Sequence, residues 1–225
     1  MFNPVFINIS RRRFLNRFTG CAISVLLLMT VMGGTSMAIE EAPYTVVTSS
    51  GSFELRNYEP HILAETLVDG DLEDAGNKAF RRLFNYISGA NRSRTSIAMT
   101  APVSQESKGE KIAMTAPVGQ QYASGRWAVS FMMPAGLTLA ALPVPDDSSI
   151  TLRQVPSRLM AAVRYSGTWS EKNYRDYKGQ LETWIRENGF EIKGEAVWAR
   201  YNPPFSLWFL RRNEILIPVA LRSAP

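Results

Sequence analysis

Phe53-Glu54-Leu55-Arg56-Asn57-Tyr58-Glu59-Pro60-His61-Ile62-Leu63-Ala64-Glu65-Thr66-Leu67-Val68-Asp69-Gly70 is the stretch whose reading decides the fold. Residues 53–58 alternate and predict a strand. Pro60 breaks it, because proline cannot donate to a ladder. Residues 61–68 predict a second strand, and Asp69-Gly70 a turn. From Asp71 to Ser88 the period changes: Leu72, Ala75, Ala79, Phe80, Leu83, Phe84 and Ile87 fall on one side of a helix, and Gly89 is a natural stop. The order then recurs. Ile150-Thr151-Leu152-Arg153 predicts a strand, Pro156 breaks it, residues 159–165 predict the next, and Gly167 makes the turn. Ser170 can cap a helix running to Asn188, with Tyr174, Tyr177, Leu181, Trp184 and Ile185 as its apolar positions and Gly189 as its stop. Leu55-Arg56 and Leu152-Arg153 stand 97 positions apart, as do Gly70 and Gly167.

This spacing predicts a duplication: strand, strand, helix, strand, strand, written twice. Residues 126–134 (Trp127, Val129 and Phe131 on one face), 191–201 and 214–219 supply further strands, and the Pro- and Asp-rich 135–149 connects the halves. The expected class is α+β: a curved or barrel-like antiparallel sheet with helices outside it.

The ends of the chain differ in character. Ser10-Arg11-Arg12-Arg13-Phe14-Leu15 precedes an apolar run over 21–32, then small residues and Met37-Ala38. Basic, apolar, small is the order of an export signal, with a cleavage position after Ala38. The paired arginines before Phe-Leu resemble a twin-arginine signal. An ordinary secretory signal and an uncleaved membrane anchor are the alternatives, the run being short against the ~20 residues of a span. Residues 39–225 form the expected single domain, outside the cytoplasm or held at the inner membrane by 1–38.

Most of the formal net charge of +5 resides in that leader. Four of the 25 basic residues (Arg11, Arg12, Arg13, Arg17) lie there, leaving 21 against 20 acidic ones. A near-neutral body gives no electrostatic case for nucleic acid. The single cysteine, Cys21, is in the leader, and the single histidine is His61. Disulfides, thiolate metal sites and covalent haem attachment through Cys-x-x-Cys-His have no parts in the body.

Ile97-Ala98-Met99-Thr100-Ala101-Pro102-Val103 recurs 15 positions on as Ile112-Ala113-Met114-Thr115-Ala116-Pro117-Val118. Each copy can form a short strand, with Pro102 and Pro117 at a strand end, edge or bulge. Seven identical residues exceed what two strands require. Small Ala and Thr beside Met leave room on one face, lined by polarizable thioethers.

Over about residues 42–219 the sequence resembles the SOUL haem-binding proteins. The resemblance rests on Phe53-Glu54-Leu55-Arg56-Asn57-Tyr58-Glu59-Pro60, both Ile-Ala-Met-Thr-Ala-Pro-Val copies, Ala199-Arg200-Tyr201-Asn202-Pro203-Pro204 and Arg211-Arg212-Asn213-Glu214. It implies a distorted antiparallel β-barrel of two repeated units flanked by two helices. It also implies a haem or related tetrapyrrole, held non-covalently and reversibly in a hydrophobic cleft by a carrier or buffer. The same fold resembles bacterial small-molecule effector-binding domains, so a module for another apolar or cationic small molecule is the alternative.

A haem needs an apolar slot, cations for its propionates and, optionally, an iron ligand. Leu83, Ile87, Met99 and Met114 are the candidate lining residues; Arg94 and Arg211, with Arg92 and Arg212, are the candidate propionate partners. Some relatives carry histidine where this chain has Asn57. His61 is the remaining candidate iron ligand, but four residues along a strand displace a side chain by ~13 Å. Haem held by packing alone, or a metal-free porphyrin, is the expectation. Glu214 is either a cavity acid for a cation or a structural partner of Arg211 or Arg212; the structural role is preferred. No Gly-x-Ser-x-Gly elbow, Walker loop, Gly-x-Gly-x-x-Gly or metal cluster occurs, and Glu191 with Glu195 is the one carboxylate pair to weigh as acid and base. The expectation is a binding protein, not an enzyme.

Overall fold

The computed structural model describes residues 39–94 and 109–222. The main sheet has ten strands: β1 (Tyr44–Ser50), β2 (Phe53–Tyr58), β3 (His61–Val68), β4 (Val118–Ala123), β5 (Arg126–Met132), β6 (Ile150–Val155), β7 (Arg158–Tyr165), β8 (Phe190–Ile192), β9 (Val197–Arg200) and β10 (Asn213–Leu221). The helices are α1 (Leu72–Ile87) and α2 (Glu171–Glu187). Two short pairs lie apart from the sheet, Glu40–Glu41 parallel to Thr115–Ala116 and Asn91–Arg92 antiparallel to Val144–Pro145.

Strand order is β6-β3-β5-β4-β9-β10-β7-β2-β1, with β8 on β10, and every pair is antiparallel. Exchange β2 with β6, β3 with β7, β4 with β9 and β5 with β10, and the path from β6 to β2 reads backwards unchanged. The duplication in the sequence is thus a two-fold in the topology, centred on the β4–β9 pair. α1 packs on β3 and β5, and α2 on their counterparts β7 and β10. Both helices start as the sequence predicts. The Asp71 side chain accepts the Asp74 N–H at 2.8 Å, and Ser170 Oγ that of Asn173 at 3.3 Å. Gly70 and Gly167 turn the chain into them at φ +128° and +142°, backbone that L side chains rarely adopt.

The sheet is open, which corrects the barrel expectation. Closure would need the ends of the path, β6 and β1, to pair, and among the described residues each has a single partner, β3 and β2. Instead β1 occupies the outer edge of β2, from Tyr44 opposite Tyr58 to Ser50 opposite Phe53, with a bulge between Val46 and Thr48. The first strand predicted from the sequence is at Phe53, and β1 within the expected domain is missed, because this strand is exposed on both faces and so carries no alternation. The reading also runs 191–201 as one strand. It breaks into β8 and β9 around Gly194, whose absent Cβ admits the Pro218 ring.

The second copy of the repeated phrase is also less regular than a strand. Only Thr115–Ala116 pairs, with Glu40–Glu41, and Val118 begins β4. Pro117 falls between, after a cis peptide, where its missing N–H removes no ladder bond. The first copy, with Met99, lies outside the described residues, as do the leader and Cys21.

The halves are cross-braced by charge. Glu214 on β10 has no exposed side-chain surface. It accepts Arg56 Nη1 from β2 at 2.7 Å, Arg212 Nε at 3.0 Å and the Tyr201 hydroxyl at 2.9 Å. Arg212 Nη1 also meets Glu41 at 2.8 Å, and Arg56 Nε meets Glu54 at 2.7 Å. Burial alone would push the Glu214 carboxyl up. Arg56 and Arg212 outweigh that and hold it below the usual carboxylate range. A folded pKa below the unfolded one means that stability present above the unfolded value is lost as pH falls through the folded one. Glu214→Gln is therefore expected to lose about 3–5 kcal/mol near neutral pH, because Arg56 is left buried without its counter-charge. It should also show a shallower acid dependence than the parent, measured by denaturant unfolding across the acid range.

Candidate ligand cleft

A cleft of about 450 Å³ opens beside the β4–β9 pair. Three segments wall it. α1 gives Gly76, Asn77 and Phe80; the second phrase copy gives Met114, Thr115, Ala116 and, at the start of β4, Val118; the end of β9 and the following loop give Arg200 to Phe205. Trp169 and Ile39 complete the lining. The mouth is apolar and open, with Ile39, Met114 and Phe205 exposed, whereas Thr115, Ala116 and Arg200 are buried at its inner end. Val118 and Arg200 are register partners across β4 and β9, so the central ladder itself fixes one wall against another.

Local sequence explains why the cleft stops where it does. Over the C-terminal half of α1 the chain packs down. The Ile112 N–H donates to the Ile87 carbonyl at 2.8 Å, and the Asn91 side-chain amide donates to the carbonyls of Tyr86 and Glu110 at 2.7 and 2.8 Å. Leu83 and Ile87 are consequently core residues, packed with Ile112, Val129 and Phe131, and they do not line the cleft. Of the expected lining residues, only Met114 among the described residues stands in its wall.

The arginines chosen from sequence are engaged elsewhere. Arg92 pairs with Asp146 at 3.2 Å on the surface. Arg94 borders a shallow groove with Leu139, Pro145 and Leu152. Arg211 donates to the carbonyls of Ser206 and Pro204 at 2.9 and 2.6 Å and lies over Trp169, and Arg212 is held by Glu41 and Glu214. Asp146 takes donors of Arg92, the 204–206 carbonyls those of Arg211, and Glu41 with Glu214 those of Arg212, which composition and spacing do not reveal. The arginine in the cleft is Arg200. It stood in the sequence within Ala-Arg-Tyr-Asn-Pro-Pro, and its signal was a charged residue on the inward face of a predicted strand.

His61 lies outside the cleft. It lines a separate small recess with Tyr58, Glu65, Arg153 and Arg158, and its Nδ1 stands 2.8 Å from the Glu59 carbonyl, so Nδ1–H donates there. Burial holds its pKa below the ordinary histidine value, favouring neutral imidazole. Within the cleft, the side chains of types that ligate haem iron are Met114 and Tyr201. Tyr201 gives its hydroxyl to Glu214 and, through burial first and the Glu214 charge second, holds its proton far above the ordinary range. It is unsuited to bind iron as a phenolate. Glu214 itself is a structural counter-ion, and Glu191 and Glu195 are both exposed, Glu191 paired with Lys193 at 2.7 Å.

A family model described as SOUL heme-binding protein matches residues 39–218. Heme-binding protein 2 of Mus musculus is 24% identical over 196 residues, covering 81% of this chain and 91% of its own length. Heme-binding protein 1 of Mus musculus is 24% identical over 184 residues, covering 79% and 92%. Among solved structures, the EcmrR C-terminal domain superposes with a TM-score of 0.52 at 14% identity, over 79% of this chain and 98% of that one. A hydrolase from Listeria innocua gives 0.51 at 11% identity, over 77% and 94%. At those identities the two structures share the fold, and no chemistry follows.

The seat of the second phrase copy rests on a glycine contact. A Cβ on Gly109 would overlap the Gly89 carbonyl. Gly109→Ala is expected to lift residues 109–112, break the Ile112–Ile87 bond and lower stability by about 1–3 kcal/mol. Thermal unfolding measures the loss, and faster hydrogen exchange at the Ile112 amide localises it.

Proposed function

The chain belongs to the SOUL heme-binding protein family, and from that membership we propose that it binds haem or a related tetrapyrrole non-covalently in the cleft beside the β4–β9 pair. The observation that carries the proposal is the cleft itself. Its volume of about 450 Å³ lies in the range of small-molecule sites, its mouth is apolar, and one wall is the phrase that the sequence repeats. The named relatives are heme-binding proteins, which supports the same reading. Packing of the macrocycle against Phe80, Met114, Val118 and Pro203 supplies the affinity. Iron ligation by histidine has no part in it, since His61 faces another recess.

We further infer that the protein works outside the cytoplasm as a carrier or buffer, with residues 1–38 directing export. A buffer must release its ligand, and a cleft that presents, among the described residues, the exposed Met114 thioether and a Tyr201 hydroxyl held by Glu214 suits release. The alternative occupant is another apolar small molecule using the same walls.

Three experiments test this. Haemin titrated into the purified exported form is expected to give a Soret band distinct from free haemin, with an intact mass that starts at Ile39. A spectrum identical to free haemin sinks the tetrapyrrole reading, and a mass that retains the leader sinks its removal. Met114→Asp, a substitution at an exposed position, is expected to weaken binding at least about tenfold without changing the melting temperature, because it puts a carboxylate on the apolar wall. His61→Ala is expected to leave the Soret position unchanged. A shift would move the iron to the other recess.

A further inference from the structure

Among the described residues Arg200 is a buried cation without an anion. Its side chain is 9% exposed, and no described carboxylate forms an ion pair with it. One hydrogen bond holds it, from Nη2 to Gln120 Oε1 at 3.0 Å, while Nε is buried with no partner. Gln120 is itself fixed, its amide donating to the Leu72 carbonyl at 2.6 Å. The guanidinium lies within reach of two indoles, 5.2 Å from the Trp169 centroid and 5.1 Å from that of Trp198. It also fills a notch that only glycine leaves: a Cβ on Gly76 would come within 2.5 Å of Nη2 and 2.9 Å of Nη1.

These contacts orient the group but do not neutralise it. Burial pulls its pKa down to about 10, and the titratable group that offsets this is the Tyr165 phenol, which burial pushes up and so keeps uncharged at neutral pH. The two arginines whose pKa is raised, buried Arg56 and half-buried Arg212, both have Glu214 beside them. A preorganised, partly unsatisfied guanidinium at the inner end of an apolar cleft is the arrangement that carboxylate recognition requires.

We propose that Arg200 is the receptor for a ligand carboxylate, so that the cleft admits an amphipathic carboxylic acid, acid group inward and apolar body toward Met114 and Phe205. The proposal rests on the reading of this cleft as the ligand site and adds to it the ligand's charge and orientation. A tetrapyrrole with propionate side chains is one such acid.

The test uses the full chain, parent and Arg200→Gln, with four probes: haemin, haemin dimethyl ester, dodecanoate and dodecanol. Glutamine removes the charge and keeps an N–H for Gln120. The parent is expected to bind each acid about 10- to 100-fold tighter than its uncharged partner, the worth of one charge-assisted pair. Arg200→Gln should bind acid and uncharged partner alike, with the ester and alcohol affinities unchanged. Arg200→Lys should keep part of the preference. Should haemin fail to bind while dodecanoate is preferred over dodecanol by the parent alone, the carboxylate site stands and the tetrapyrrole reading falls. A parent that does not prefer either acid overturns the proposal, whether or not the variants fold. So does a folded Arg200→Gln that keeps the preference.

Discussion

The ion pair between Arg56 and Glu214 is the constraint on which the rest of the site depends. It joins β2 of the first repeat to β10 of the second through a carboxylate with no exposed side-chain surface. Arg212 and Tyr201 close round the same carboxylate, and Arg212 reaches on to Glu41. That one anion therefore fixes the root of the 201–212 loop and the strand pair that seats Thr115–Ala116. Both are cleft walls. Removing the charge would take from Arg56, Arg212 and Tyr201 the anion they share, a cost that falls on the cleft as much as on the sheet.

The same arrangement decides the sign of the site. On sequence grounds Glu214 was either an acid that receives a cation or, as preferred, a structural partner of Arg211 or Arg212. With two arginines and a phenol on it, its charge is spent inside the fold. The charged side chain left incomplete at the cleft is of the opposite sign, Arg200. A cation-receiving cavity and an anion-receiving cleft are built from neighbouring strands, and only hydrogen-bond partners tell them apart.

Much of the frame was legible in the sequence because it rests on local chemistry. Asp71 and Ser170 cap helices wherever they precede an amphipathic run, and Gly70 and Gly167 mark turns that need positive φ. The site was less legible, for reasons of register and competition. Leu83 and Ile87 share the apolar stripe of α1 with Phe80, and periodicity cannot say which turn of that stripe the chain before Met114 will cover. Arg211 and Arg212 look available until Pro204, Ser206, Glu41 and Glu214 are seen to take their donors. Strand β1 and the open sheet were invisible because a strand exposed on both faces has no pattern to read.

The position of this cleft on the two-fold frame follows from the connections between the strands. Between α1 and β4 the chain runs through residues 88–117, whereas between α2 and β9 it uses only 188–196. Between β9 and β10 it runs through 201–212, whereas Ser124 and Gly125 suffice between β4 and β5. The longer member of the first pair belongs to the first repeat and the longer member of the second to the second repeat. They meet because β4 and β9 are partners on the two-fold, Val118 opposite Arg200. The repeated frame places the second phrase copy and residues 200–205 at one end of the central ladder, and the space between them is the cleft. Symmetry supplies the rigid floor, and the departures from symmetry supply the site.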